Sequence, residues 1–329
     1  MNLPKLAIAS LGGTVSMQAR TAGEGVVPTV SGATLLASIP ELRSHAHVTV
    51  ETLGMLPSAS LDFEYLLSVL CWAKYQIEQG AVGVVITQGT DTLEEAATFF
   101  DLLWDHDEPL VLTGAMRSAA QAGADGPGNL LDACRVGLAE KSRRRGVQVV
   151  MSGQIHLAQA VRKSDSMGLQ AFSSPNMGPT GLLTEGAVRY LHPARQRNVL
   201  PSPKHTTHKV ALLQATLSAD TLLLENILAL GYEGLVIAGF GAGHLSETWT
   251  EAIDAIADKI PVIVATRCGS GSTARSTYGF KGGEIDLIQR GASMAGFACP
   301  RKARILLWLL IGCQRQDDLA RYLKEDIRF

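Results

Sequence analysis

The sequence predicts an α/β protein in two units, a larger N-terminal one built on a parallel sheet and a smaller C-terminal α/β one. Three observations carry this. Residues 82–86 (VGVVI) form a short, apolar, β-branched run, the pattern of a strand buried on both faces of a parallel sheet. Polar residues at 87–91 break that run, and a helix follows with Ala96, Phe99, Phe100 and Leu103 on its apolar face. Finally, residues 193–208 hold three prolines and no apolar period, and a second strand–helix alternation begins beyond them.

Taken in order, the first strand is 5–11 (KLAIASL), running into Gly12-Gly13-Thr14. Glycine there lets the backbone turn and a ligand approach. Residues 16–34 are polar and without periodicity, which predicts a mobile lid. A second strand at 47–53, a turn at 57–60 and a helix at 61–79 follow. The central helix should start at Thr92, with Glu95 at capping-box spacing behind it. A strand at 109–113 ends in the polar stretch 114–118. Asp125-Gly126-Pro127 opens a helix to Ala139, proline being suited to a first turn. Residues 147–151 form a strand, and 155–161 and 182–190 two extended segments around a polar excursion holding Lys163, Asp165 and Phe172. In the second unit, strands are expected at 210–214, 235–238 and 262–266, with helices at 222–230, 247–258, 302–311 and 317–324. No internal repeat is present.

Composition narrows the function classes. The 329-residue chain is 46% hydrophobic and 18% charged, with a net charge of −2, so no nucleic-acid partner is indicated. The basic run Lys141, Arg143, Arg144, Arg145 falls between a helix and a strand and reads as a solvated turn. The five cysteines are scattered without a CxxC, which fits reduced thiols and a cytoplasmic location. A strand begins almost at once, so no signal peptide is expected. The apolar run 305–311 is far short of the ~18 residues a membrane span needs, so no membrane partner is expected either.

Strand ends in the first unit carry small polar groups: Thr14, Ser58, and Thr90 with Asp91. A parallel sheet brings such ends side by side, and ligands bind at that edge. A single threonine there is ordinarily a turn residue. Two, each behind glycine and one beside a carboxylate, point to a nucleophile site. Gln88, Gly89, Thr90 and Asp91 also stand where unpaired N–H groups at a helix start can hold an anion. Gly269 to Ala274 matches the GxGxxA dinucleotide fingerprint, but 276–283 does not read as the helix that should follow. There is no GxxxxGK[ST], HExxH or GxSxG, and the eight histidines show no ligand spacing, so no metal is expected.

These residues resemble the bacterial L-asparaginase/glutaminase family over essentially the whole chain. The matching stretches are IASLGGT (8–14), ITQGTDTLEE (86–95), TGAMR (113–117) with ADGP (124–127), and 236–243 and 302–306 in the second unit. The resemblance implies a larger flavodoxin-like domain at 1–192, a linker at 193–208 and a smaller α/β domain at 209–329. It implies hydrolysis of the side-chain amide of asparagine, and often glutamine, without a cofactor. It also implies a homo-oligomer, dimer or tetramer, with sites between subunits.

By position, Thr14 resembles the family's nucleophile, and Thr90, Asp91 and Lys163 its second catalytic group. Lys163 is placed by Arg162-Lys163 and by its spacing to Phe172 and Gly178-Pro179. Ser58, followed by Ala59, resembles the residue that holds the substrate α-carboxylate, Ala115 the one whose backbone faces the amide, and Gly89 joins them as a substrate-binding candidate. His244 and Glu284 are candidates for a neighbouring-subunit contribution. The chain departs from the pattern in three places. No tyrosine occurs between Met1 and Glu64, where the family's lid carries one near Gly25. Ala59 stands where glutamine is common, and the family's neighbouring-subunit glutamate has no clear counterpart in the short segment before Tyr278, Glu284 being the candidate; His244 stands where asparagine is common. A threonine hydroxyl needs a base, and a lysine serves once burial favours its neutral form. Either Thr14 or Thr90 can fill the nucleophile's role on these residues alone. The alternatives are a glutaminase or other amidase on this scaffold, an amino-acid-binding protein of weak activity, and, from Gly269 to Ala274 alone, a dinucleotide oxidoreductase.

Overall fold

A computed structural model of the chain describes residues 3–13, 17–19, 26–28 and 32–323. It divides into two compact units, Met1–Val199 and Leu200–Phe329. Among the described residues no helix is long and apolar enough to cross a membrane.

In the first unit the chain runs β1 (Lys5–Ser10), β2 (Met17–Ala19), β3 (Val26–Pro28), α1 (Gly32–Ala37), β4 (His47–Thr52) and α2 (Phe63–Glu78). It continues with β5 (Ala81–Thr87), α3 (Leu93–Leu103), β6 (Leu110–Thr113), α4 (Gly126–Leu138) and β7 (Val147–Met151). The flank is β8 (Gln154–Leu157), β9 (Arg162–Lys163), β10 (Phe172–Ser173), β11 (Gly181–Thr184) and β12 (Ala187–Tyr190). Eight strands form one sheet in the order β12-β11-β8-β7-β6-β5-β1-β4. The five from β7 to β4 are parallel and the rest antiparallel. Counted along the chain, the parallel strands lie in the order 2-1-3-4-5, the flavodoxin-like winding, whose ligand edge is the switch point between β1 and β5.

The central strands are buried because helices cover the sheet. Leu6, Ile8, Val85, Val111 and Val150 join Leu130, Ala133 and Val136 of α4 in one apolar cluster, with Leu36 of α1 packed on it. α2 and α3 pack on each other outside that cluster, with Phe63 stacked on Phe99 at 5.3 Å between ring centroids. Asp62 caps α2 by accepting the Tyr65 N–H at 2.8 Å. The register aligns the strand ends: Ser10 lies opposite Thr52 and Thr87, and Thr87 opposite Thr113. The segments that follow, 11–13, 53–58, 88–92 and 114–118, therefore leave the sheet along one edge.

Two expectations need correcting. Thr92 does not cap a box with Glu95. A 3-10 turn, Thr90–Thr92, precedes α3, and the Thr92 hydroxyl donates instead to the Ser58 carbonyl at 2.9 Å. Residues 182–190 are two strands, because Glu185 and Gly186, with φ of 51° and 75°, turn the chain back on itself. The segment expected to be a lid lies mostly outside the described residues; within it β2 and β3 pair antiparallel. The basic run lies on an exposed turn, where Arg143 meets Glu108 at 2.8 Å, Arg144 meets Asp107 at 2.9 Å with its side chain 77% exposed, and the Arg145 guanidinium lies 3.6 Å from the Tyr190 ring centroid.

The second unit holds β13 (Val210–Gln214), α5 (Leu222–Asn226), β14 (Gly234–Gly239), α6 (Glu247–Ala257) and β15 (Val262–Thr266). It ends with α7 (Glu284–Gln289), β16 (Ser293–Met294), α8 (Pro300–Gly312) and α9 (Leu319–Leu323). Its sheet, β13-β14-β15-β16, is parallel throughout. After β15, Gly269 to Ala274 opens no helix. Thr273 closes onto Gly296 through two hydrogen bonds of 2.8 and 3.1 Å, so the glycines serve a loop rather than a phosphate cradle.

Candidate active site

Two strand-end loops of the first unit meet backbone to backbone. Gly13, at φ 83°, follows β1, and a Cβ there would lie 2.1 Å from the Gly89 nitrogen and 2.3 Å from its Cα. Only glycine allows that approach and that φ together. Gly89 in turn leaves room for Ser58: a Cβ on it would stand 2.6 Å from the Ser58 Oγ. Ser58 is 2% exposed, and its hydroxyl has no hydrogen-bond partner among the described residues. A buried hydroxyl left in that condition is an open acceptor or donor toward whatever occupies the site. Ala59, next to it, is exposed and carries no polar group.

Thr90 and Asp91 lie in the turn between β5 and α3, and Lys163 comes from β9. Lys163 Nζ donates to Thr90 Oγ1 at 2.9 Å and to Asp91 Oδ1 at 2.8 Å. Thr90 is buried, while the Asp91 side chain is 68% exposed and that of Lys163 17%. The lysine thus bridges a buried hydroxyl and an exposed carboxylate. Such a grouping can move a proton off a hydroxyl and hold a cationic group of a ligand at the rim.

The fourth loop is shaped by side chains to which the sequence alone assigns no role. Asp125 accepts the N–H groups of Met116 at 3.0 Å and Arg117 at 2.9 Å. Asn129 Nδ2 donates to the Gly114 carbonyl and to Asp125 at 3.0 Å each, and Asn129 Oδ1 accepts the Ser152 N–H at 2.9 Å. Gly114 lies against the Gln88 carbonyl and the Thr90 methyl, which sets the fully buried Ala115 beside the Thr90 turn. In sequence Asp125 only opens α4. Its two-residue spacing before proline signals a helix start, but nothing there says that its carboxylate points backward. Glu94, also unassigned, is 2% exposed and accepts the Lys163 backbone N–H at 2.7 Å.

Thr14 lies outside the described residues, as does Gly25 in the lid; Thr14 is one peptide beyond Gly13. In the second unit, taken by itself, His244 packs edge-on against Tyr278 and Phe280, at 4.7 and 5.1 Å between ring centroids. Glu284 is fully buried and turned into its own unit. Its Oε1 accepts the N–H groups of Thr277 and Tyr278, and its Oε2 faces His244 Nε2 at 3.4 Å. Burial pushes the Glu284 carboxyl up, but those N–H groups outweigh it and hold the carboxyl below its ordinary value. Glu284 therefore shapes the 277–278 loop.

Comparison with known proteins identifies the family. The model for "Asparaginase, N-terminal" matches residues 5–196, and that for "Glutaminase/Asparaginase C-terminal domain" matches 209–323. A probable periplasmic L-asparaginase from Haemophilus influenzae is 30% identical over 99% of this chain and 93% of its own. One component of the glutamyl-tRNA(Gln) amidotransferase of Methanosarcina acetivorans is also 30% identical, over 99% of this chain and 78% of its own. The solved structure of a probable cytoplasmic L-asparaginase from Campylobacter jejuni superposes with a TM-score of 0.86 at 28% identity, covering 98% of this chain and 100% of that one. With both domain models matched in order along one chain and the strand-end loops converging at the switch point, the chain belongs to the asparaginase family of amidohydrolases.

Proposed function

We propose that this protein is an L-asparaginase, hydrolysing the side-chain amide of L-asparagine to L-aspartate and ammonia. The observation that carries the proposal is Lys163 Nζ bridging Thr90 Oγ1 and Asp91 Oδ1 beside the Gly13–Gly89 contact. A neutral amide needs a nucleophile, a base and donors for the oxyanion. Thr14, one residue from Gly13, is the nucleophile in this reading. Its oxygen bonds to the amide carbon, the C–N bond breaks, and ammonia leaves with a proton relayed by Thr90 and Lys163. Water then hydrolyses the acyl-enzyme, releasing aspartate and restoring the hydroxyl. Asp91, exposed at the rim, holds the substrate α-amino group, and the open hydroxyl of Ser58 the α-carboxylate. Backbone N–H groups near Gly13, Thr90 and Ala115 face the oxyanion.

We further propose a homo-oligomer, with His244 offered to a neighbouring subunit, and a cytoplasmic location, which the five free cysteines support. A second reading is favoured by the likeness to an amidotransferase component: an amidase acting on a different amide, glutamine or an aminoacyl-tRNA amide. Ammonia release from L-asparagine, L-glutamine, their D-forms and a glutaminyl-tRNA separates the two. The expected result is a kcat/KM for L-asparagine above that for every other substrate. An equal or higher value for glutamine or the tRNA amide overturns the assignment.

A further inference from the structure

Thr90, Glu94 and Thr98 are spaced four apart, so they share one stripe of the turn and α3. All three reach the same stretch of chain. The Thr98 hydroxyl donates to the Ala158 carbonyl at 3.2 Å, Glu94 Oε2 accepts the Lys163 N–H at 2.7 Å, and Thr90 Oγ1 accepts Lys163 Nζ at 2.9 Å. Lys163 is thus held at both ends, backbone and ammonium, by residues one helical turn apart. Its side chain is long and freely rotating, so the position of Nζ depends on how firmly the backbone is fixed. Among the described residues β9 is two residues long and pairs with β10, outside the main sheet. An acid in a first helical turn ordinarily serves the helix dipole from the surface. Glu94 is 2% exposed, and its carboxylate makes a short, charge-assisted bond across 69 residues of sequence.

We infer that Glu94 is the positioning residue for Lys163, its carboxylate fixing the backbone from which Nζ reaches Thr90 and Asp91. This rests on the functional reading of Thr90, Asp91 and Lys163 given above. In this role Glu94 acts through the lysine, by the bond its carboxylate accepts from the Lys163 N–H.

The test is steady-state ammonia release by Glu94→Ala, Glu94→Gln, Lys163→Met and the Glu94→Ala/Lys163→Met double variant. Glu94→Ala should lower kcat by about 10- to 100-fold with KM within about twofold, as loss of alignment does. Glu94→Gln should recover to within about threefold of the parent, because its amide oxygen accepts the same N–H. On the Lys163→Met background, Glu94→Ala should change kcat by less than about twofold, since a residue acting through the lysine has nothing left to act on. Equal losses in both backgrounds overturn the inference, as does a Glu94→Ala enzyme of parental kcat. If Glu94→Ala does not fold, Glu94→Gln decides: near-parental kcat supports the role, and a loss beyond about tenfold removes it. A Lys163→Met enzyme that keeps more than a tenth of the rate is a different failure. It overturns the functional reading itself, whatever Glu94 does.

Discussion

Replacing Gly13 by alanine should separate the two loops on which the site is built. The built Cβ stands 2.1 Å from the Gly89 nitrogen, 2.3 Å from its Cα and 2.7 Å from the Gln88 carbonyl carbon, and all three are backbone atoms. No side chain can swing away to relieve them. Bringing the shortest contact to the 3.0 Å that real Cβ atoms respect means opening the loops by 0.9 Å. A displacement of about 1 Å at reacting groups costs on the order of a hundredfold in rate. The φ of 83° adds the left-handed penalty, about 1–2 kcal/mol for an L-residue. Gly80 separates the two effects. It has a φ of 86° and nothing within 4 Å of a built Cβ, so Gly80→Ala carries the strain without the overlap. Melting curves and ammonia-release kinetics on both variants make the assay. Gly13→Ala should lose about a hundredfold or more in kcat/KM and melt lower than Gly80→Ala, which should keep parental activity. A Gly13→Ala enzyme within threefold of the parent would refute the role given to the Gly13–Gly89 contact.

Three further outcomes are expected. Thr14→Ala should lower kcat by about a thousandfold or more and leave the fold intact; mass spectrometry of an acyl-enzyme trapped from substrate should find the adduct on Thr14, and an adduct on Thr90 would exchange their roles. Because the Glu284 carboxyl is held below its ordinary value, its charged form contributes stability present above ~4.3, the unfolded value, and lost as pH falls through the folded one. Acid unfolding of the parent should steepen in that window, and Glu284→Gln should flatten it; identical acid limbs would contradict the loop-shaping role. Cys71 and Cys268 are exposed while Cys134, Cys299 and Cys313 are buried, and burial pushes the Cys134 thiol far up and the Cys313 thiol up. A thiol reagent should therefore titrate two cysteines in the native protein and all five in denaturant.

The parallel strands are readable because burial on both faces leaves a mostly apolar run, unbroken from Val82 to Ile86 in β5 and interrupted only by Gln148 in β7. The antiparallel flank is harder. Glu185-Gly186 supplies the two left-handed residues of a tight hairpin, but it is a weak turn signal and 182–190 reads as one segment. Short α7, opening on a buried glutamate, gives no periodic signal at all. Local capping chemistry assigns Thr92 to a helix start, and a tertiary acceptor, the Ser58 carbonyl, takes its hydroxyl instead.

At the site, Thr90 and Asp91 can be read from their position at a strand end. Lys163 cannot: in sequence it is one lysine in a polar excursion, and resemblance alone picks it out. Glu94 and Asp125 show the limit most plainly. Each looks like a first-turn acid, and only the fold reveals that one reaches 69 residues along the chain and the other back toward residues 116–117.

The most direct measurement is the turnover of L-asparagine by Lys163→Met, with melting checked against the parent. The bridge from Nζ to Thr90 and Asp91 predicts a kcat lower by on the order of a hundred- to ten-thousandfold, the worth of a positioned base, with the fold unchanged. A folded Lys163→Met enzyme that retains more than a tenth of the parental rate would contradict it.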